Sequence, residues 1–243
     1  MMGGLLEILM DAQGSQPMLE SIDRELLLLV NGSDSLYLDR MARVLTKAAT
    51  WIPLYISLFI VVLRNNDNIR KLLMIVGAAA LCVLLAGTVD DVIVKPTVAR
   101  WRPTHDPVIG SVVDVVDGYR GGKYGFFSAH ASNTFSIAIF FCWLVRSRLL
   151  STAMIIWSLT NCWTRLYLGV HFPGDILVGL TWGFIVGSSV YFLFYKLTRH
   201  MNSGRRLISS QYTVTGYQRV DCNIPVAVLV FTLVYALIKS CIL

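Results

Sequence analysis

The chain has 243 residues, of which 55% are hydrophobic and 15% charged, with a net charge of +6 and a mean hydropathy of +0.62. Soluble chains average about a quarter charged residues, so this composition excludes an ordinary water-soluble protein. The length holds one domain with nothing left for an independent second.

In chain order, Met1–Met10 lacks a charged n-region and a cleavage site, which argues against a removable signal peptide. Met18–Val30 is apolar on one face, too short to span a bilayer, and carries Glu20, Asp23, Arg24 and Glu25 between its apolar positions. It reads as a helix lying along the membrane interface, ended by the turn pair Asn31-Gly32. Leu36–Lys47 follows, with Arg40, Arg43 and Lys47 on one helical face. Residues 1–47 are therefore read as an N-terminal amphipathic segment and residues 48–243 as a transmembrane domain.

A membrane-spanning helix needs roughly 20 apolar residues. Six stretches are candidates: Ala48–Leu63, Leu72–Val94, Ser128–Val145, Leu149–Leu168, Ile176–Tyr195 and Asn223–Leu243. The expected fold is an all-α polytopic helix bundle. Cys82, Cys142, Cys162, Cys222 and Cys241 show no CxxC or Cys/His ligand spacing and read as small buried hydrophobes.

Basic residues set the orientation. The loops after the first, third and fifth spans carry Arg64, Arg70, Lys71, Arg146, Arg148, Lys196, Arg199, Arg205, Arg206 and Arg219, ten in all. The opposite loops carry six: Lys95, Arg100, Arg102, Arg120, Lys123 and Arg165. The first side is expected to be cytoplasmic and the second to face the periplasm or exterior. The net charge is read as orientation plus anion binding; nothing suggests nucleic acid.

Three segments fall on the outer side. They are Lys95-Pro96-Thr97-Val98-Ala99-Arg100-Trp101-Arg102-Pro103, then Phe127-Ser128-Ala129-His130, then Thr164-Arg165 followed by His171 and Asp175. In order and spacing they resemble the tripartite signature of the type 2 phosphatidic acid phosphatase superfamily. That signature is Lys, six residues, Arg-Pro; Pro-Ser-Gly-His; and Ser-Arg, five residues, His, three residues, Asp. The resemblance covers residues 95–175. Phe127 stands for Pro, Ala129 for Gly and Thr164 for Ser, while every ionisable position matches.

The resemblance implies a membrane lipid phosphatase without metal or cofactor. His171 would be the nucleophile, forming a phosphohistidine. Asp175 would fix its tautomer, and His130 would protonate the leaving group and later activate water. Lys95, Arg102 and Arg165 would hold the phosphate by charge and bidentate hydrogen bonds. Ser128 would add its hydroxyl and backbone N–H, and Ala129 its backbone N–H, at a helix N-terminus.

Other residues near these segments are read more plainly. Arg100, Arg120 and Lys123 are possible headgroup contacts or solvated loop. Asp91 stands four residues before Lys95 and is expected to pair with it, and His105 is read as surface. No HExxH or paired-carboxylate motif points to zinc or magnesium.

A site at the outer ends of the spans favours a lipid phosphate as substrate over a soluble ester. Undecaprenyl diphosphate is the first expectation in a bacterial inner membrane, with lipid A phosphate or phosphatidylglycerol phosphate as alternatives. A lipid phosphotransferase and a non-enzymatic anionic-lipid transporter are the readings of other classes. The related vanadate haloperoxidases are soluble and do not fit the spans.

Overall fold

The computed structural model describes residues 18–201 and 210–242. Met1–Met10, Arg205, Arg206 and the last residue of the sixth expected span lie outside them.

All regular structure among the described residues is helical. α1 is Met18–Leu28, α2 Leu36–Leu45, α3 Ile52–Arg64, α4 Ile69–Thr88 and α5 Lys95–Val98. After an irregular stretch come α6 (Ala129–Val145), α7 (Arg148–Tyr167), α8 (Pro173–Thr198) and α9 (Arg219–Ile242). The only strand-like features described are single bridges, Trp101 with Tyr124 and Tyr212 with Gln218.

The helix ends follow from local chemistry. Asn68 caps α4 by accepting from the Arg70 and Lys71 N–H groups, and Ser147 caps α7 by accepting from Leu150 N–H. Arg146, with φ at 53°, takes the left-handed turn that closes α6. Pro173 opens α8 where a missing N–H costs nothing.

α6 and α8 pack closely along matching stripes of small residues. Gly179, Gly183 and Gly187 repeat every fourth residue on α8 and face the Ser128, Ser132 and Ser136 carbonyls of α6. A Cβ at Gly179 would come within 2.8 Å of the Ser128 carbonyl, and one at Gly183 within 2.7 Å of the Ser132 carbonyl. Backbones can approach this closely inside a membrane bundle only through such small residues. The contact fixes the start of α6, with Ser128 and His130, beside the start of α8, with Asp175. At the far end Asp221 ties α9 to α3 by accepting from Arg64 (2.8 Å) and Asn65 (2.9 Å).

Among the described residues three helical runs are long and apolar enough to cross a membrane: Ile69–Val98, Pro173–Thr198 and Arg219–Ile242. A fourth follows if α2 and the run Ala48–Arg64, bent by 68°, count as one broken span. The six spans expected from the sequence are not reached. α6 has only 17 residues, and α7 has the length without the apolarity, carrying Ser158, Asn161, Thr164 and Arg165. Both face other helices, so polar groups can be satisfied inside the bundle: Thr134 on α6 and Ser158 on α7 share a hydrogen bond of 2.9 Å. The all-helical membrane class holds, and the described helices run past several expected ends, as α8 does beyond Ile176–Tyr195.

Candidate active site

The first signature segment leaves the membrane helix through a π turn. Val89–Val94 hydrogen-bonds with the wider period, and Lys95 N–H donates to the Asp90 carbonyl five residues back. This brings two carboxylates to one ammonium: Lys95 Nζ lies 2.7 Å from Asp90 Oδ2 and 2.5 Å from Asp91 Oδ1. The expected Asp91 pair is present. Asp90, fully buried, is an added partner that α-helical spacing would have placed on another face.

The chain then reverses at Ala99 and runs back against the glycine-rich part of the loop. Arg102 N–H donates to the Lys123 carbonyl and Gly125 N–H to the Arg100 carbonyl. Gly125 is needed there, because a Cβ would sit 2.9 Å from Arg102 Cγ. The Arg102 side chain is thereby enclosed. Its Nε donates to the Tyr124 carbonyl (3.1 Å), and its Nη1 donates to the Val170 carbonyl (3.0 Å) and to His171 Nε2 (3.1 Å).

A guanidinium only donates, so His171 Nε2 must accept and the ring proton must sit on Nδ1. That nitrogen lies 3.6 Å from Asp175 Oδ2, beyond hydrogen-bond length, and has no other partner among the described residues. Asp175 is held from two other sides: its Oδ2 accepts from Phe172 N–H at 3.0 Å and its Oδ1 from Arg100 Nη1 at 2.7 Å. His171 is 1% exposed. Burial first, then the charges of Arg102, Arg165 and Lys95, push its pKa well below 6.5. A neutral imidazole with its lone pair on Nε2 is the form a nucleophile requires.

Arg165, near the end of α7, is also enclosed. Its Nη1 donates to Thr46 Oγ1 (2.7 Å) and to the Tyr119 hydroxyl (3.0 Å), while Nε has no partner among the described residues. His130, on the first turn of α6, lies against the Thr46 backbone in the field of Arg165, Arg102 and Lys95. The same three cations act on His171. Both histidines and the three signature cations therefore share one electrostatic site.

Ser128 is used otherwise than expected. Its N–H donates to the Asp175 carbonyl (3.1 Å) and its Oγ accepts from Ala131 N–H (3.4 Å), so that backbone donor is already committed. The N–H groups of Ala129 and His130, first in α6, are those without an intrahelical acceptor.

Arg100 bridges Asp175 and Asp23, at 2.7 and 2.6 Å, while its side chain keeps partial exposure. Arg120 Nη1 donates to the Thr104 carbonyl, and Lys123 Nζ lies over the Trp101 ring at 4.5 Å. The His105 ring Nδ1 lies 3.1 Å from Thr104 Oγ1, and its backbone N–H donates to the Arg102 carbonyl.

Sequence reading missed Asp23, Asp90, Thr46 and Tyr119 as parts of this site. Only Asp90 gave a signal, as an acid within a membrane span. The other three reach the site by tertiary packing. Among the described residues no three His, Cys, Asp or Glu side chains gather as metal ligands would.

A helical membrane bundle with a neutral buried imidazole ringed by cations has the features that phosphoryl transfer needs. The comparisons agree. A family model, the PAP2 superfamily, matches residues 70–199, and the chain belongs to that superfamily. A lipid A 4'-phosphatase of Bacteroides thetaiotaomicron is 39% identical over 186 residues, 76% of this chain and 82% of its own. One of Porphyromonas gingivalis is 37% identical over 172 residues, 70% and 72% of the two chains. No solved structure matches. The protein is an integral membrane phosphoric ester hydrolase.

Proposed function

We propose that the protein is a metal-independent lipid A phosphatase that works through a phosphohistidine on His171. One observation carries the chemistry. Arg102 and Arg165 are buried, at 8% and 3% exposure, and every hydrogen-bond partner they have among the described residues is neutral. Buried charge without a counter-charge is costly. An anion arriving between these guanidiniums relieves that cost and meets a neutral nucleophile.

In the proposed reaction the phosphate takes Arg102's donors and frees the Nε2 lone pair. Nε2 attacks phosphorus, the ester P–O bond breaks, and the departing oxygen takes a proton from His130. His130 takes up that proton once the bound phosphate's negative charge offsets the three cations. The positive charge on the His171 ring is balanced by Asp175, whose Oδ2 closes the remaining gap to Nδ1–H. Water then attacks the phosphoryl group while His130 recovers the proton; the P–N bond breaks and its electron pair returns to Nε2. Lys95, Arg102 and Arg165 stabilise the equatorial oxygens throughout.

The substrate reading rests on the two relatives, both lipid A 4'-phosphatases. It replaces undecaprenyl diphosphate as first choice, since the three motifs alone do not separate those lipids. The excess of basic residues on the opposite loops supports a site on the periplasmic face of a bacterial inner membrane.

The test is phosphate release by purified protein in EDTA, from lipid A and undecaprenyl diphosphate at equal concentration. Faster release from lipid A, lost in His171→Gln, is the expected result. Preference for the diphosphate overturns the substrate, and an active His171→Gln overturns the mechanism.

A further inference from the structure

Asp23 lies on α1, outside the residues 70–199 that the family model matches. It nevertheless makes two contacts with the catalytic segment. Oδ1 accepts from Gly174 N–H at 2.7 Å, and Oδ2 accepts from Arg100 Nη2 at 2.6 Å. Gly174 precedes Asp175 in the chain, and Arg100 holds Asp175 Oδ1 through its other nitrogen, Nη1, at 2.7 Å. One carboxylate thus restrains Asp175 both through the backbone of the α8 start and through its side-chain oxygen. The fit at Gly174 is close: a Cβ there would lie 2.7 Å from Asp23 Oδ2.

The orientation set in this way matters to His171. With Oδ1 drawn toward Arg100, Oδ2 is left facing Phe172 N–H and His171 Nδ1. A guanidinium that lost its second carboxylate would be free to turn both nitrogens onto Asp175 as a bidentate pair. Oδ2 would then be taken from the imidazole. The Arg100 guanidinium also stacks over the Phe172 ring at 4.4 Å, which limits it to this plane while Asp23 holds the far end.

We infer that Asp23 is a positioning residue for the reaction, keeping Asp175 oriented toward His171 by holding Arg100 and the Gly174 N–H. The inference rests on the reading of His171 as nucleophile. It makes α1 a working part of the active site, fastened also by the buried pair of Arg24 with Asp106 at 3.1 Å.

The groups that face His171 are Arg102 from the loop, Arg165 from α7, Lys95 from α5, His130 from α6 and Asp175 from α8. Asp23 touches neither the phosphate cations Arg102 and Arg165 nor the two histidines. Its loss should therefore lower kcat and leave KM nearly unchanged. Changes in residues that orient a reacting group cost roughly 10- to 100-fold, and that is the loss expected for Asp23→Ala. Asp23→Asn keeps an acceptor for Gly174 N–H and should lose less. Removing the negative charge also disfavours protonated imidazole, so the acid limb of kcat should move to lower pH.

The experiment uses full-length protein in detergent micelles with lipid A as the probe. It compares wild type, Asp23→Asn, Asp23→Ala, Arg100→Gln, the Asp23→Asn/Arg100→Gln double variant and His171→Gln. A kcat loss at constant KM, a shifted acid limb, and no further loss when Asp23→Asn is added to Arg100→Gln support the inference. Additive losses with an unshifted pH profile mean that Asp23 merely holds the fold, and overturn it. Wild-type kinetics in both Asp23 variants, with His171→Gln inactive, overturn it too while leaving the nucleophile in place. An active His171→Gln removes the reading on which it rests.

Discussion

The arginines near the site fall into two regions that treat charge in opposite ways. On the α1 side, Arg100 bridges Asp23 and Asp175, and Arg24 pairs with Asp106. Around His171, Arg102 and Arg165 meet carbonyls, hydroxyls and an imidazole, with no carboxylate in ion-pair range among the described residues. The first region is a wall of charges paired directly, and the second is a cluster of buried cations held by neutral partners. Motif matching cannot tell these apart, since Arg100 and Arg102 stand two residues apart in the same segment.

Substitutions can break or sharpen this contrast. Replacing His171 with Gln should have the largest effect, a loss of kcat/KM on the order of 10⁴-fold or more, as when a covalent nucleophile is removed. Phosphate release from lipid A measures it.

Within this cluster, Arg165→Met or Arg102→Met should cost roughly 10²–10³-fold in kcat through lost transition-state stabilisation. Neither should lower resistance to denaturation in detergent, since an unbalanced buried cation is removed. In the wall, Arg100→Met should do the reverse to stability and leave Asp175 and Asp23 unpaired. The cost should be about 3 kcal/mol, the low end for breaking a buried pair, because the Arg100 side chain keeps 23% exposure. If Arg102→Met and Arg100→Met destabilise equally, the contrast is wrong.

Gly183→Ala should destabilise by about 1–3 kcal/mol, because its methyl group meets the Ser132 carbonyl at 2.7 Å. It should reduce activity only as it loosens α6 against α8, which thermal unfolding and kinetics on the same sample can separate.

The smallest effect concerns pH. The folded pKa of His171 lies below its ordinary 6.5. Below pH 6.5 the unfolded chain binds a proton that the folded chain refuses. Its stabilising contribution is thus complete above pH 6.5 and is lost as the pH falls toward the folded value. Melting temperatures between pH 7 and pH 5 should fall less steeply in His171→Gln than in wild type.

How much of this was legible in the sequence depends on the range of the interaction. Composition and apolar runs made the membrane helices visible, and the three segments marked both histidines, Asp175 and the signature cations. The span count is not reached among the described residues because α6 has only 17 residues and α7 carries Ser158, Asn161, Thr164 and Arg165. Lys95 pairing with Asp91 followed from helical spacing, whereas Asp90 required the π turn. The engagement of Arg100 by Asp23 joins positions 77 residues apart, and nothing local to either announces it. Ser128 shows the same limit: it was read as a phosphate contact at a helix N-terminus, but its N–H bond to the Asp175 carbonyl exists only because α6 and α8 touch.

In the proposed mechanism the neutral His171, beside two buried arginines held by neutral hydrogen-bond partners, takes the phosphoryl group onto its ring. The most direct measurement is to mix purified enzyme with lipid A in EDTA, quench in alkali within one turnover, and map the phosphorylated peptide by mass spectrometry. The account predicts a phosphoryl group on His171, absent in His171→Gln and formed without added metal. A phosphoryl group on any other residue, or turnover with none bound to the protein, would contradict it.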